Sequence, residues 1–172
     1  MNDALEKFNH TIDTWIRIVD DHSFEALIQK PIPGSWSLGQ VIVHIIEDTP
    51  WHVGQMREAL ATDANAGKDM HDDAKEMFRK NMFPDMQIEG ASTNDSVPQP
   101  VSKEALLQQL TSIREDVNTL FDSTDFSTST GKTRHPGLLF FTALDWLRFT
   151  EMHMRHHLRQ KKRIEDALRI RS

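Results

Sequence analysis

Two histidines one helical turn apart are the residues whose type and spacing most clearly indicate chemistry. His153 and His157 lie near the end of the chain, in the segment EMHMRHHLRQ. At about 100° per residue, positions i and i+4 fall on the same face of a helix. Trp146 lies on that face too, so both imidazoles are predicted to point into the protein interior. His156 falls well round the helix and is predicted to be a surface residue.

Two stacked imidazoles that point into the interior need a hydrogen-bond partner or a bound cation. If both were protonated they would repel each other and carry a desolvation cost, so they should be neutral. Helical His pairs at this spacing recur as ligands of one metal ion, as in zinc proteases, although the glutamate that those helices place between the two histidines is absent here. The spacing therefore leaves two alternatives open, a metal-binding pair and a hydrogen-bonded core pair.

A third ligand should come from another helix, and His44 is the candidate. It lies inside the apolar run VIVHII, which predicts that it is buried. Asp48, His52 and Gln55 follow it at intervals of about one turn along the edge of the apolar face. His52 and Gln55 are predicted to lie on the solvated flank of this helix. Asp48 and its neighbour Glu47 are candidates to orient a ligand or accept a proton.

Four long helical segments are predicted to position these histidines. Apolar residues recur three and four positions apart in 2–28, in 38–61, in a segment that begins near 101, and in 142–170. Ser35 or Ser37 is the expected N-cap of the second segment, and Ser102 starts the third with an incomplete capping box. No segment has a pattern that predicts a β-strand. Four long helices indicate an all-α protein built as a helical bundle.

Two irregular stretches interrupt the helices. The connection 63–100 contains a possible short helix at 71–79 and is too long for a simple turn between bundle helices. Because long connections are often functional lids or mobile segments, we expect it to cover part of a pocket. The second stretch, 122–136, is rich in Ser, Thr and Asp and is predicted to be a surface loop.

Composition excludes several classes of function. The chain has 172 residues, no cysteine and a net charge of -6. The absence of cysteine removes disulfides, thiolate metal sites, iron–sulfur clusters and cysteine nucleophiles. The acidic balance argues against nucleic-acid binding. No apolar run reaches the roughly 20 residues that span a bilayer, and the N-terminus lacks a signal-peptide pattern. We therefore expect one cytoplasmic domain over residues 1–172 that does not bind membranes.

Two short motifs resemble those of the DinB/YfiT-like superfamily of metalloenzymes. The first is GSWSLGQVIVHI at 34–45, and the second runs from HPG at 135–137 to the histidines of the last helix. The resemblance implies a metal site of His44, His153 and His157. It also implies an up-down-down-up four-helix bundle, often a homodimer, that binds a divalent metal such as nickel or zinc. Characterised relatives transfer low-molecular-weight thiols, and many members have no assigned activity.

Two functions follow as hypotheses. The first is a metal-dependent enzyme that transfers a thiol or hydrolyses a small electrophile, since three neutral imidazoles leave coordination positions open. Without cysteine, the sulfur would come from a cosubstrate, and Glu151 and Gln160 are candidates to hydrogen-bond the ligands. The alternative is a non-catalytic dimeric bundle that binds a metal or small ligand. Four methionines could line an adaptable surface in that case: Met70, Met77, Met82 and Met86.

Overall fold

The computed structural model describes residues 2–84 and 97–169. In these ranges the chain forms six helices and one β-hairpin, and the hairpin directly precedes the last helix. The elements are α1 (Asn2–Asp21), α2 (Phe24–Ile28), α3 (Leu38–Leu60), α4 (Asp72–Lys80), α5 (Lys103–Ser123), β1 (Lys132–His135), β2 (Leu139–Thr142) and α6 (Ala143–Arg169). In the described part of the chain, no helix is both long enough and apolar enough to cross a membrane.

The four long helices form a bundle in which α1 and α3 each pack against both α5 and α6. The helix α1 is parallel to α6, because Thr11 contacts Glu151 and His22 contacts Glu165. It is antiparallel to α5, because Asn9 contacts Asn118 and Asp20 contacts Lys103. The helix α3 is antiparallel to α6, because His44 contacts His153 and His52 contacts Phe149. The predicted four-helix bundle and its up-down-down-up order are confirmed.

The start of α3 is determined by a capping box that fixes where His44 lies. The Ser37 hydroxyl accepts a hydrogen bond from the Gln40 backbone N–H, and the Gln40 side chain accepts one from the Ser37 backbone N–H, both at 3.1 Å. These bonds satisfy donors that a helix N-terminus would otherwise leave unpaired. Ser35, the other expected cap, instead bonds the backbone of Ile32 in the preceding turn.

The first helix is shorter than predicted. The expected segment 2–28 breaks after Asp21, and a separate short helix begins at Phe24. The Ser23 hydroxyl accepts a hydrogen bond from the Ala26 backbone N–H at 3.2 Å, which starts a new helix rather than continuing the old one. Serine favours caps over helix interiors because its hydroxyl competes for backbone groups, and the apolar periodicity does not show this local effect.

The prediction that the chain contains no strand is wrong. β1 and β2 form an antiparallel hairpin with the register Lys132–Thr142, Thr133–Phe141, Arg134–Phe140 and His135–Leu139. The sequence KTRH of β1 has no apolar residue and LFFT of β2 does not alternate, so neither strand shows the period of two that predicts a strand. The hairpin is tied to α6 because the Trp146 indole N–H donates a hydrogen bond of 2.7 Å to the Thr133 hydroxyl.

The predicted short helix in the long connection is confirmed as α4, displaced by one residue. Three arginines of α6 hold the end of α4 and the residues after it. Arg148, Arg155 and Arg159 donate hydrogen bonds to the carbonyls of Phe78, Asn81 and Phe83. At the other end of the connection, the Gln40 side chain donates to the Val97 carbonyl at 2.6 Å. The part of the predicted lid at 85–96 lies outside the described residues.

Candidate metal centre

The three histidines singled out in the sequence lie together where α3 crosses α6. One ring nitrogen from each of His44, His153 and His157 falls within 4.8 Å of the others, a group that could hold a metal ion. The Nε2 atoms of His153 and His157 are 3.1 Å apart. His44 and His157 are buried, and 14% of the His153 side chain is exposed. Antiparallel packing brings the early part of α3 to the middle of α6.

Gln160 determines which nitrogen of His157 faces the cluster. The amide oxygen of Gln160 lies 2.9 Å from His157 Nδ1. Because an amide oxygen only accepts hydrogen bonds, Nδ1 carries the proton and donates it. The lone pair of His157 is then on Nε2, which faces His153. Hydrogen bonds of this kind behind a ligating imidazole fix its tautomer and ring orientation. Gln160 therefore makes the hydrogen bond to a ligand histidine that was expected of it.

Burial keeps these imidazoles neutral. It lowers the pKa of His157 to about 3, with the His44 charge as a smaller cause. It lowers the pKa of His153 well below the ordinary value. The pKa of His44 is also lowered by burial, an effect that the nearby Asp48 carboxylate partly offsets. Metal ligands must be deprotonated, so three neutral imidazoles in one small cluster fit a divalent cation.

Asp48 lies at the edge of the cluster. Its Oδ2 is 3.4 Å from His44 Nε2 and 4.0 Å from His153 Nε2, and 44% of the side chain is exposed. Burial nevertheless raises the pKa of this carboxyl group, although His44 acts in the opposite direction. Glu47, the neighbouring candidate, is exposed. Of the two acidic residues, Asp48 is the one that contacts the cluster in the described part of the chain.

Aromatic side chains surround the imidazoles on the protein side. The Trp36 ring centroid is 5.4 Å from that of His44. The Phe149 ring stacks parallel to His153 at 6.3 Å, and Phe83 lies 6.0 Å from the same imidazole. Phe83 reaches this position because α4 is held against α6. These aromatic side chains pack against the imidazoles of the cluster on the protein side.

The prediction that His52 lies on a solvated flank is wrong. His52 is only 4% exposed, and its ring centroid lies 5.6 Å from those of both Trp146 and His153. The Nδ1 atom is buried and has no hydrogen-bond partner in the described part of the chain. Burial, with smaller charge effects from His135 and His44, lowers the pKa of His52 to about 3. Gln55, predicted to lie on the same flank, is partly exposed.

His135, which the sequence analysis named only as part of the HPG motif, is a further residue near the site. Its Nδ1 accepts hydrogen bonds from the backbone N–H groups of Gly137 and Leu138 at 3.2 and 3.1 Å. The ring packs against Trp146 and Phe149, and burial lowers its pKa to about 4. The His-Pro-Gly sequence indicates a turn, but nothing in it shows that the hairpin folds back onto α6.

Two other expectations on α6 need correction. His156, predicted to be a surface residue, is half-buried, and Phe83, which follows α4, lies 5.5 Å from its ring. Glu151, a candidate to support the ligands, faces α1 instead. It accepts hydrogen bonds from the Thr11 hydroxyl at 3.0 Å and from two guanidinium nitrogens of Arg155. Glu151 is two residues before His153, which places the two on nearly opposite helix faces.

Comparisons with known proteins agree with the fold. A profile of the DinB superfamily matches residues 7–160, a range that includes the three clustered histidines. The crystal structure of TT2238, described as a four-helix bundle protein, is similar with a TM-score of 0.63 and 15% sequence identity, over 94% of this chain and 97% of that chain. A search of curated proteins finds no match. The family match covers most of the sequence, and the chain belongs to the DinB superfamily.

Proposed function

We propose that this protein is a metal-dependent enzyme in which His44, His153 and His157 hold one divalent ion, nickel or zinc. The observation that carries the proposal is the cluster of three neutral imidazoles, whose ring nitrogens fall within 4.8 Å of one another. Three imidazole ligands with room for an exogenous ligand are typical of catalytic rather than structural sites. The exposed side of the cluster, next to Asp48, is where a substrate would enter.

The proposed reaction joins a low-molecular-weight thiol to a small electrophile, or hydrolyses such an electrophile. A divalent ion at such a site lowers the pKa of bound water toward about 7 or binds a thiol as its thiolate. In the transfer, the sulfur forms a bond to the electrophilic carbon, and the leaving group departs with the bonding electrons. Asp48 is placed to accept the proton that the thiol or water loses. Gln160 keeps the lone pair of His157 directed at the cluster.

The test uses tag-free protein, stripped of metal and reconstituted with zinc or nickel. Consumption of a small electrophile is followed with and without an added thiol such as bacillithiol or mycothiol. We expect metal-dependent turnover in the wild type and its loss in His153→Ala. His10→Ala, which removes an exposed histidine from α1, is the matched control and should keep wild-type turnover. Equal turnover of metal-free and reconstituted protein would contradict the proposal.

The alternative is a non-catalytic dimeric bundle that binds a metal or small ligand. Exposed apolar side chains favour it, in particular Ile32, Trp51 and Val101. The methionine surface expected for this function is only partly present, because Met77 is in the core and Met82 is exposed, while Met86 lies outside the described residues. Bound metal without turnover, together with a dimer mass in light scattering, would favour this alternative.

A further inference from the structure

The Asp48 carboxylate lies at a distance from His44 that one shared ion would produce. Bonds of about 2.0–2.2 Å from a tetrahedral metal place neighbouring ligand atoms roughly 3.3–3.6 Å apart. The separation of Asp48 Oδ2 from His44 Nε2, 3.4 Å, falls in this range, and that between the Nε2 atoms of His153 and His157, 3.1 Å, is slightly shorter. The separation of Asp48 Oδ2 from His153 Nε2 is longer, at 4.0 Å, and Asp48 is not in the group whose ligand atoms all lie within 4.8 Å of one another. Binding of the ion by Asp48 therefore requires its half-exposed carboxylate to move toward the histidines.

The position of Asp48 is not that of a close ion pair with His44. A charge-assisted bond between an imidazolium and a carboxylate is about 2.7–2.9 Å long, whereas the observed separation is 3.4 Å. The same carboxylate oxygen also lies toward His153, on the other helix. A position between two imidazoles of different helices suits an oxygen that shares their ligand.

We infer that Asp48 is a fourth, displaceable protein ligand of the ion, an assignment that rests on the proposed function. Its carboxylate closes the exposed side of the site in the resting state and reduces the net charge of the ligated divalent ion from +2 to +1. An incoming thiol would take the place of the carboxylate and bind as its thiolate. The displaced Asp48 carboxylate would accept the proton that the thiol loses.

Cobalt(II) is the probe, because its visible bands report the ligands directly. The full-length protein is loaded with cobalt(II), its affinity is measured against a chromophoric chelator, and azide is titrated as a model anion. Asp48→Asn and Asp48→Ala are compared with Glu47→Gln and Glu47→Ala, which remove the adjacent exposed carboxylate. Far-ultraviolet circular dichroism checks that all variants fold. Asp48→Glu, which keeps a carboxylate, tests for rescue.

If Asp48 is a ligand, both of its neutral variants lose at least about tenfold in cobalt affinity and change the visible bands, relative to the Glu47 variants. They also bind azide at least about fivefold more tightly, because no carboxylate has to leave, and Asp48→Glu restores part of the wild-type affinity. If the Asp48 variants have the same cobalt affinity and visible bands as the Glu47 variants, this inference is overturned but the proposed function is not. A wild-type protein that binds neither cobalt nor zinc would overturn the proposed function as well.

Discussion

The two nitrogens of the His157 ring have different partners, and this difference prepares the residue to bind a cation. Nδ1 donates its proton to Gln160 at 2.9 Å, whereas Nε2 faces His153 at 3.1 Å. Because the pKa of His157 is lowered to about 3, the ring does not take up a second proton near neutral pH. A neutral imidazole with one nitrogen protonated toward a fixed acceptor can bind a metal only through the other nitrogen.

Gln160→Ala should therefore weaken metal binding without unfolding the protein. We expect a loss of about 10–100-fold in zinc affinity, since hydrogen-bond partners behind ligands typically contribute this much. Gln55→Ala, which removes a partly exposed glutamine from α3, is the matched control and should retain wild-type affinity. Competition with a chromophoric chelator measures both. Equal affinities in the two variants would show that the contact with His157 does not orient the ligand.

A site residue could be predicted from the sequence where its neighbours along its own helix determine its position, and could not where distant parts of the chain do. His153 and His157 follow from spacing on one helix, and His44 follows from its apolar neighbours. His52 could not be placed, because the side chains that bury it, Trp146 and Phe149, come from another helix about 100 residues away in the chain. The same limit applies to the hairpin, which is stabilised by its contact with α6 rather than by a strong local pattern.

At the scale of elements, the position of α3 depends on a close approach at Gly39. A Cβ atom at this position would lie 2.7 Å from Pro100 Cγ and 3.0 Å from the Leu27 carbonyl oxygen. The segments before and after the helix therefore pack directly on its first turn. His44 lies five residues further along, so the packing at Gly39 helps to determine where the first ligand meets α6.

Two glycine substitutions in α3 should have opposite effects on stability. Gly39→Ala forces Pro100 and the Leu27 backbone apart and should lower the free energy of unfolding by about 1–3 kcal/mol. Gly54→Ala meets no atom within 4 Å. It should raise the free energy of unfolding by up to about 1 kcal/mol, because alanine loses less backbone entropy in a helix. Urea unfolding measures both, and a Gly39→Ala protein as stable as the wild type would contradict the close approach.

At the scale of the whole molecule, buried neutral histidines link stability to pH. Burial lowers the pKa values of His52 and His157 to about 3 and that of His135 to about 4. In the unfolded chain these residues have pKa values near 6.5. Below that value the unfolded state binds more protons than the folded state. The stability of the metal-free protein should therefore be greatest above pH 6.5 and fall as the pH decreases toward 3.

His52→Phe should reduce this pH dependence. Each histidine that stays neutral in the folded state contributes a slope of about 1.4 kcal/mol per pH unit once its unfolded form is protonated. We expect the variant to lose about that much slope between pH 4.5 and 5.5. At pH 7 it should unfold no more easily than the wild type, because the buried Nδ1 has no partner in the described residues. Urea unfolding of metal-free protein at several pH values measures the slope, and an unchanged slope would place His52 in contact with water.

The central claim is that His44, His153 and His157 together hold one divalent ion, and elemental analysis of the purified protein tests it most directly. The protein should be produced without an affinity tag and without nickel chromatography, beside a variant with alanine at all three positions. We predict close to one equivalent of zinc or nickel per wild-type chain and almost none in the triple variant, with folding of both checked by circular dichroism. A wild-type protein free of metal, or a triple variant that retains one equivalent, would contradict the claim.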